Sequence, residues 1–133
     1  MIYLLDTNVC IRYLNGRSDS IRRQIESRRP QEIALCSIVK AELFHGVARS
    51  KNPDRNLARL RRFLTPFSSL PFDDRAAELY GELRAQLEQV GELIGPNDLL
   101  IAAIAVANNV TLVTHNIREF GRVKDLKLED WEI

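Results

Sequence analysis

Met1-Ile2-Tyr3-Leu4-Leu5-Asp6-Thr7-Asn8 decides the fold. Ile2 to Leu5 is an unbroken apolar run with no polar alternation. A run so short and so apolar reads as a strand buried on both faces, the pattern of a parallel sheet. It stops at three polar residues, and an amphipathic segment from Val9 to Leu14 follows at once. The chain therefore opens as strand, tight polar turn and helix. In open parallel sheets ligands bind outside the carboxyl ends of the strands, so Asp6 stands where chemistry is expected. Taken alone, it also reads as a capping residue, because Asp, Thr and Asn oxygens accept the free N–H groups of a helix start.

Working outward, the same grammar repeats. Ile33 to Cys36 is a second short apolar run, and Val110 to Val113 a third. Phe67 to Phe72 reads as a poor or edge strand, because Ser68, Ser69 and Pro71 interrupt it. Leu126 to Leu128 reads as a closing strand, with Trp131 as its anchor. Between these lie helical patterns. Ser18 to Arg29 carries only the thin stripe Ile21 and Ile25, and Pro30 ends it. Ser37 to Val47 follows, with Glu42 beside its apolar stripe. Asn52-Pro53 starts a helix that Pro66 closes. Asp73-Asp74 opens the longest helix, to about Val90, with Ala76, Tyr80, Leu83, Leu87 and Val90 as its apolar face. The helix opened by Ile94-Gly95-Pro96-Asn97-Asp98 is apolar nearly all round to Ala107, so it is expected inside the molecule. Ile117 to Phe120 is a short helical turn. Strands alternating with helices imply a three-layer α/β/α sandwich around a mainly parallel sheet, in one domain over residues 1–133.

Bulk properties limit the function. A chain of 133 residues buries roughly two thirds of its unfolded surface and needs no disulfide scaffold. Cys10 and Cys36 are far apart in apolar contexts, and read as buried free thiols of a cytoplasmic protein. No apolar stretch has membrane-spanning length, and no basic segment precedes the first apolar run. Net charge is +1, but residues 1–66 hold 13 Lys/Arg against 6 Asp/Glu, and residues 67–133 hold 6 against 12. The early excess is arginine, whose fork suits phosphate oxygens. Arg22, Arg23, Arg28 and Arg29, on the thin-striped helix, are the candidates for a rim that faces nucleic acid or an acidic partner, against the plainer reading of a solvated helix face.

Three acids stand out by position. Asp6 ends the first strand, Glu42 lies in the helix after the second, and Asp98 opens the buried helix before the third. Thr114, Asn116 and Glu119 follow that third strand. Right-handed crossovers bring these points to one edge of the sheet. Carboxylates crowded in a cleft repel and need a cation, and hard oxygen ligands suit Mg²⁺ or Mn²⁺. Such a metal chemistry hydrolyses phosphodiesters. His45 reads as structural. His115 reads as near the cleft, and its position alone assigns it no role.

Met1 to Asn8, Glu42-Leu43-Phe44-His45-Gly46, Ile94 to Ala103 and Leu112 to Phe120 resemble the PIN-domain ribonucleases, and more narrowly the VapC-type toxins. The resemblance covers essentially the whole chain. It implies a metal-dependent endoribonuclease, a homodimer, and inhibition by a small VapB-type antitoxin in a higher hetero-oligomer. It carries Asp6, Glu42 and Asp98 over as the acidic metal site, with Asn8, Thr114 and Asn116 in support. Closely similar toxins cut initiator tRNA in the anticodon loop, which makes tRNA the expected substrate. Many PIN domains have aspartate where this chain has Asn116, and Glu119 is expected to supply that charge as a fourth catalytic acid. Two other Mg²⁺-binding α/β classes fit less well. A response-regulator receiver needs a lysine near Thr114-His115-Asn116, and a haloacid-dehalogenase-type phosphatase needs aspartate where Asn8 stands. The alternative of another class is a non-catalytic metal-binding or interaction module whose acids only cap helices.

Overall fold

The computed structural model describes residues 2–133. Five strands, β1 (Tyr3–Leu5), β2 (Ile33–Cys36), β3 (Ser68–Leu70), β4 (Thr111–Val113) and β5 (Lys127–Glu129), form one sheet in the order β3-β2-β1-β4-β5. Every neighbouring pair is parallel. The pattern of burial explains the order. Leu4, Leu5 and all four residues of β2 are buried, as central strands covered on both faces must be. β3 exposes Ser68 and Ser69, and β5 exposes Lys127 and Glu129, which suits strands at the sheet's edges. Ile2, expected inside the first strand, precedes it and is half exposed.

Helices α1 (Thr7–Leu14), α2 (Asp19–Glu26), α3 (Ser37–Ala48), α4 (Pro53–Leu64), α5 (Asp74–Gln89), α6 (Pro96–Ala107) and α7 (Ile117–Phe120) make the connections. α1 packs on α2 and α3, α3 on α4, and α5 on α6. Leu99 and Ile101 to Ala105 are buried, so α6 is the interior helix its composition predicts. α2 is shorter than expected. It ends at Glu26, and Pro30–Glu32 forms a single 3-10 turn into β2 instead. Val90 also departs from expectation: it ends α5 exposed, while Ala76, Leu83 and Leu87 are the buried face. Cys10 and Cys36 are free and buried, as expected. No described helix is long and apolar enough to cross a membrane.

The sheet order fixes where a cleft can open. From β1 the chain steps outward to β2 and β3, then returns to lay β4 on the other side of β1. Connections that leave in opposite directions cannot cover the gap between the carboxyl ends of β1 and β4, and such switch points are where α/β sheets bind ligands. Leu5 pairs with Val113, so Asp6 and Thr114 stand level at that gap.

Candidate active site

Asp6 is held from three sides. Its backbone N–H donates to the Val113 carbonyl at 3.0 Å. Its Oδ1 accepts the Thr7 N–H at 2.8 Å, which makes it the N-cap of α1. Its Oδ2 accepts the Thr114 hydroxyl at 2.9 Å, across the switch point. The residue is 6% exposed. Burial raises its pKa above 3.8, the two hydrogen bonds oppose that, and Glu42 and Glu119 raise it further. The capping reading is therefore correct for Asp6 but incomplete, because a cap does not need the buried hydroxyl of Thr114.

Asp98 caps nothing. Gly95 is the N-cap of α6 and makes no side-chain cap bond, while Asp98 lies in the helix's first turn. Burial pushes its carboxyl up from 3.8 to about 6, and the charges of Asp6, Glu119 and Glu42 add to that. Glu42 reaches the cleft from α3, where its Oε1 accepts the Thr7 hydroxyl at 2.5 Å. Thr7 thus ties Asp6 to Glu42. It lies in the opening stretch of the chain, yet sequence reasoning does not single it out as a site residue. Its signal is its place directly after a strand-ending acid, at the one position that serves both neighbours.

Glu119 is differently occupied from the expectation. Its Oε1 accepts the Gly95 N–H at 2.7 Å and its Oε2 accepts from Asn116 Nδ2 at 3.0 Å. The Gly95 N–H and then the Asn116 amide hold its pKa below the usual glutamate value. Asn116 returns its Oδ1 to the Glu119 N–H at 3.4 Å, as the cap of α7. Glu119 therefore joins α7 to the residue that starts α6. A Cβ built on Gly95 would lie 3.6 Å from Asp98 Oδ2 and 3.7 Å from Glu119 Oε1, so the two carboxylates flank this glycine. Asn8 is exposed and makes no side-chain hydrogen bond among the described residues.

The four acids thus share one cleft, where the charges of the others raise the cost of ionising Asp6 and Asp98. That is the donor set and the charge imbalance a hard divalent cation fits. The ligand oxygens of Asp6, Glu42 and Asp98 are spread more widely than a closed trio. Among the described residues, the group drawn within 4.8 Å of one another is His115, Asp130 and Glu132.

The PIN domain family profile matches residues 3–126. The chain is 47% identical over 133 residues to the ribonuclease VapC2 of Rickettsia felis, which covers 99% of each. The chain belongs to the PIN-domain family, among the VapC-type ribonucleases. It is 36% identical over 129 residues, 97% of each chain, to the tRNA(fMet)-specific endonuclease VapC of Shigella flexneri. Among solved structures it resembles VapBC2 from Rickettsia felis bound to a promoter DNA fragment, with a TM-score of 0.91, 46% identity and coverage of 98% and 99%. DNA-bound VapBC from Salmonella typhimurium gives a TM-score of 0.93 at 34% identity, with 98% of each chain covered.

In this PIN-domain chain the expected arginine rim divides. Arg28 does not face a cleft. Its guanidinium lies 4.6 Å from the centroid of Tyr3 and 4.8 Å from that of Trp131, and those rings meet edge-on at 5.1 Å. Arg29 pairs with Glu32 at 3.3 Å, just before β2 begins, so both residues lie toward the amino ends of the strands, away from the acids. Arg22 pairs with Asp19 at 3.2 Å near the start of α2. Arg22 and Arg23 lie on α2, whose start is held to the segment after β5 by the Ser20 hydroxyl on the Trp131 carbonyl at 2.6 Å. The thin apolar stripe implies a free helix face, but Arg28 follows the helix end and turns back onto the aromatic pair.

Proposed function

We propose that this chain, as a single PIN domain over residues 1–133, is a Mg²⁺-dependent endoribonuclease toxin that cuts tRNA in the cytoplasm and is silenced by a VapB-type antitoxin. The observation that carries the reading is Asp98, a carboxyl that caps no helix, faces three other acids, and is pushed up to about 6 by burial and by their charge. An acid pushed up beside three others at a sheet's switch point marks a functional site, and a bound cation is what would offset the crowded charge.

Asp6, Asp98 and Glu42 would hold the ion. When bound, Mg²⁺ (or Mn²⁺) supplies a polarised water and shields the charge of the phosphate. The chain's own residues prepare the place. Thr114 and the Thr7 N–H fix the two oxygens of Asp6, and the Thr7 hydroxyl turns Glu42 toward it. Glu119 pins the Gly95 N–H and so sets the first turn of α6, on which Asp98 rides. Arg22 and Arg23 are the arginines of the proposed rim left to attract RNA phosphates.

The tRNA assignment, with initiator tRNA foremost, rests on relatives named tRNA(fMet)-specific endonucleases in Shigella flexneri and Salmonella typhimurium. The antitoxin rests on similar structures that are VapBC complexes. A homodimer that joins its antitoxin in a larger hetero-oligomer belongs to the same reading. Purified protein is incubated with total RNA with and without Mg²⁺, and the cut ends are mapped. A Mg²⁺-dependent cut in initiator tRNA, lost in Asp6→Asn and Asp98→Asn, supports the proposal. Intact RNA at saturating Mg²⁺, or full activity in either variant, overturns it.

A further inference from the structure

Beside the carboxylate cleft, and sharing no residue with it, lies a second convergence of ligand atoms. His115 follows β4, and Asp130 and Glu132 follow β5. His115 Nδ1 lies 2.9 Å from Asp130 Oδ2 and 3.1 Å from Glu132 Oε2. We propose that His115 Nδ1, Asp130 Oδ2 and Glu132 Oε2 form a binding site for a transition-metal dication of the Zn²⁺ class.

The argument is one of preorganisation. Each carboxylate has one oxygen anchored and the other free. Asp130 Oδ1 accepts the Glu132 N–H at 2.9 Å, and Glu132 Oε1 is paired with Arg12 Nε at 2.5 Å. The free oxygens are the two that meet at the imidazole. Such outer partners are what orient ligands in protein metal sites. The segment carrying both acids is itself fixed. Trp131 between them is 2% exposed, its carbonyl accepts the Ser20 hydroxyl at 2.6 Å, and its indole N–H donates to Glu129 at 3.0 Å. Beyond the end of β5 the chain turns at Trp131 and Glu132, and the Asp130 carboxylate that accepts the Glu132 N–H closes this turn and brings both acids to the imidazole.

Carboxylates facing Nδ1 can only accept, so Nδ1 carries a proton shared between them. A dication replaces that proton in the same gap: from a neutral ring the proton passes to Nε2, and from an imidazolium it leaves to solvent. Zn–N and Zn–O bonds of about 2.0–2.2 Å in tetrahedral array separate donors by about 3.3 Å. The two N···O separations, 2.9 and 3.1 Å, open to that with movements of a few tenths of an ångström, and all three donor atoms already lie within 4.8 Å of one another. The side chains of Asp130 and Glu132 are 12% and 14% exposed and that of His115 is 65% exposed, so a fourth position faces solvent. An imidazole with two carboxylates suits a borderline cation, whereas the all-oxygen cleft suits Mg²⁺. The two sites therefore sort cations by chemistry.

The test uses the full chain, freed of any histidine tag, with Zn²⁺ alone and Mg²⁺ alone as probes. Zn²⁺ affinity is read by competition with a chromophoric chelator in wild type, His115→Ala and Asp98→Asn. His115→Ala is expected to lose at least tenfold in Zn²⁺ affinity while Asp98→Asn keeps it. Mg²⁺ binding is expected to show the reverse pattern. On wild-type protein alone, Zn²⁺ should protect His115 from diethyl pyrocarbonate and leave the exposed His45 reactive, a readout that does not depend on a variant folding. Equal protection of the two histidines, unchanged Zn²⁺ affinity in His115→Ala, or a Zn²⁺ response lost only in Asp98→Asn overturns the proposal. None of these outcomes bears on RNA cleavage, so this site and the nuclease reading fail separately.

Discussion

Asp98→Asn should make the metal-free protein more stable while removing its activity. Burial, then the charges of Asp6, Glu119 and Glu42, raise the Asp98 pKa from 3.8 to about 6. An acid with a higher pKa folded than unfolded binds its proton more tightly in the folded state, so stability falls as pH rises through the interval between the two values. The contribution is fully favourable below 3.8, is lost progressively up to about 6, and stays lost at neutral pH. At 1.36 kcal/mol per pKa unit the interval is worth about 3 kcal/mol. Asp98 is only half buried, and solvent screening brings the expected cost at neutral pH to about 1–2 kcal/mol. Asparagine keeps the shape and removes the charge. In EDTA at pH 7.5, Asp98→Asn should therefore melt about 3–8 °C above wild type. The gap should close as pH falls toward 3.8, where the wild-type carboxyl is protonated as well. Mg²⁺ should raise the wild-type melting temperature and leave the variant unchanged. A variant that melts at or below wild type in EDTA at pH 7.5 would refute the claim that crowding of charge defines this cleft.

Four further outcomes are expected. Thr114→Val removes the buried hydroxyl bonded to Asp6 and should cost about 1–3 kcal/mol in urea unfolding; it should lower RNA cleavage at least tenfold, with Thr114→Ser restoring both. Glu119→Ala frees the Gly95 N–H and should reduce cleavage more than Glu119→Gln, which keeps an acceptor there; equal losses would mean that charge, rather than the tie to Gly95, is what matters. Asn116→Asp, which would set a second carboxylate against Glu119 Oε2, should lower activity by the same assay rather than supply a missing ligand. Arg28→Ala should cost about 1–3 kcal/mol of stability, because no guanidinium then packs on Tyr3 and Trp131; its RNA affinity and salt slope should stay at wild type, while Arg22→Ala with Arg23→Ala flattens the slope by up to about 0.7 for each phosphate no longer neutralised.

The order of strands and helices is legible because burial writes itself into composition. Ile33-Ala34-Leu35-Cys36 has no polar face, so only a doubly covered strand could hold it, and β2 is fully buried. Ser68-Ser69 could not be central, and β3 lies at the edge. The acids are legible for a related reason: Asp6 and Asp98 each interrupt or begin an apolar run, and a charge there needs an explanation. Local pattern misjudges the places where one segment is claimed by another far along the chain. Val90 keeps the helical period of α5 but falls at its end, beyond the reach of α6, and so is exposed. The periodicity around Ile21 and Ile25 cannot show that the backbone leaves the helix at Ser27 to carry Arg28 onto the rings of Tyr3 and Trp131.

The same limit governs the site itself. Type and position pick out the four acids, but not what each is attached to. Asn116-Ile117-Arg118-Glu119 reads in one dimension as a missing acid and its replacement three residues on. In three dimensions Asn116 caps α7 and holds Glu119, and Glu119 spends its other oxygen on Gly95, 24 residues earlier in the chain. That bond connects the segment after β4 to the start of α6, and so couples the position of Asp98 to the strand whose Thr114 grips Asp6. Asp6 and Asp98 are far apart in the sequence, and this chain of hydrogen bonds links the elements that carry them. A carboxylate at position 116 would strengthen the cleft's charge but break the tie that places it. Asparagine is therefore the residue that this arrangement of Glu119 requires.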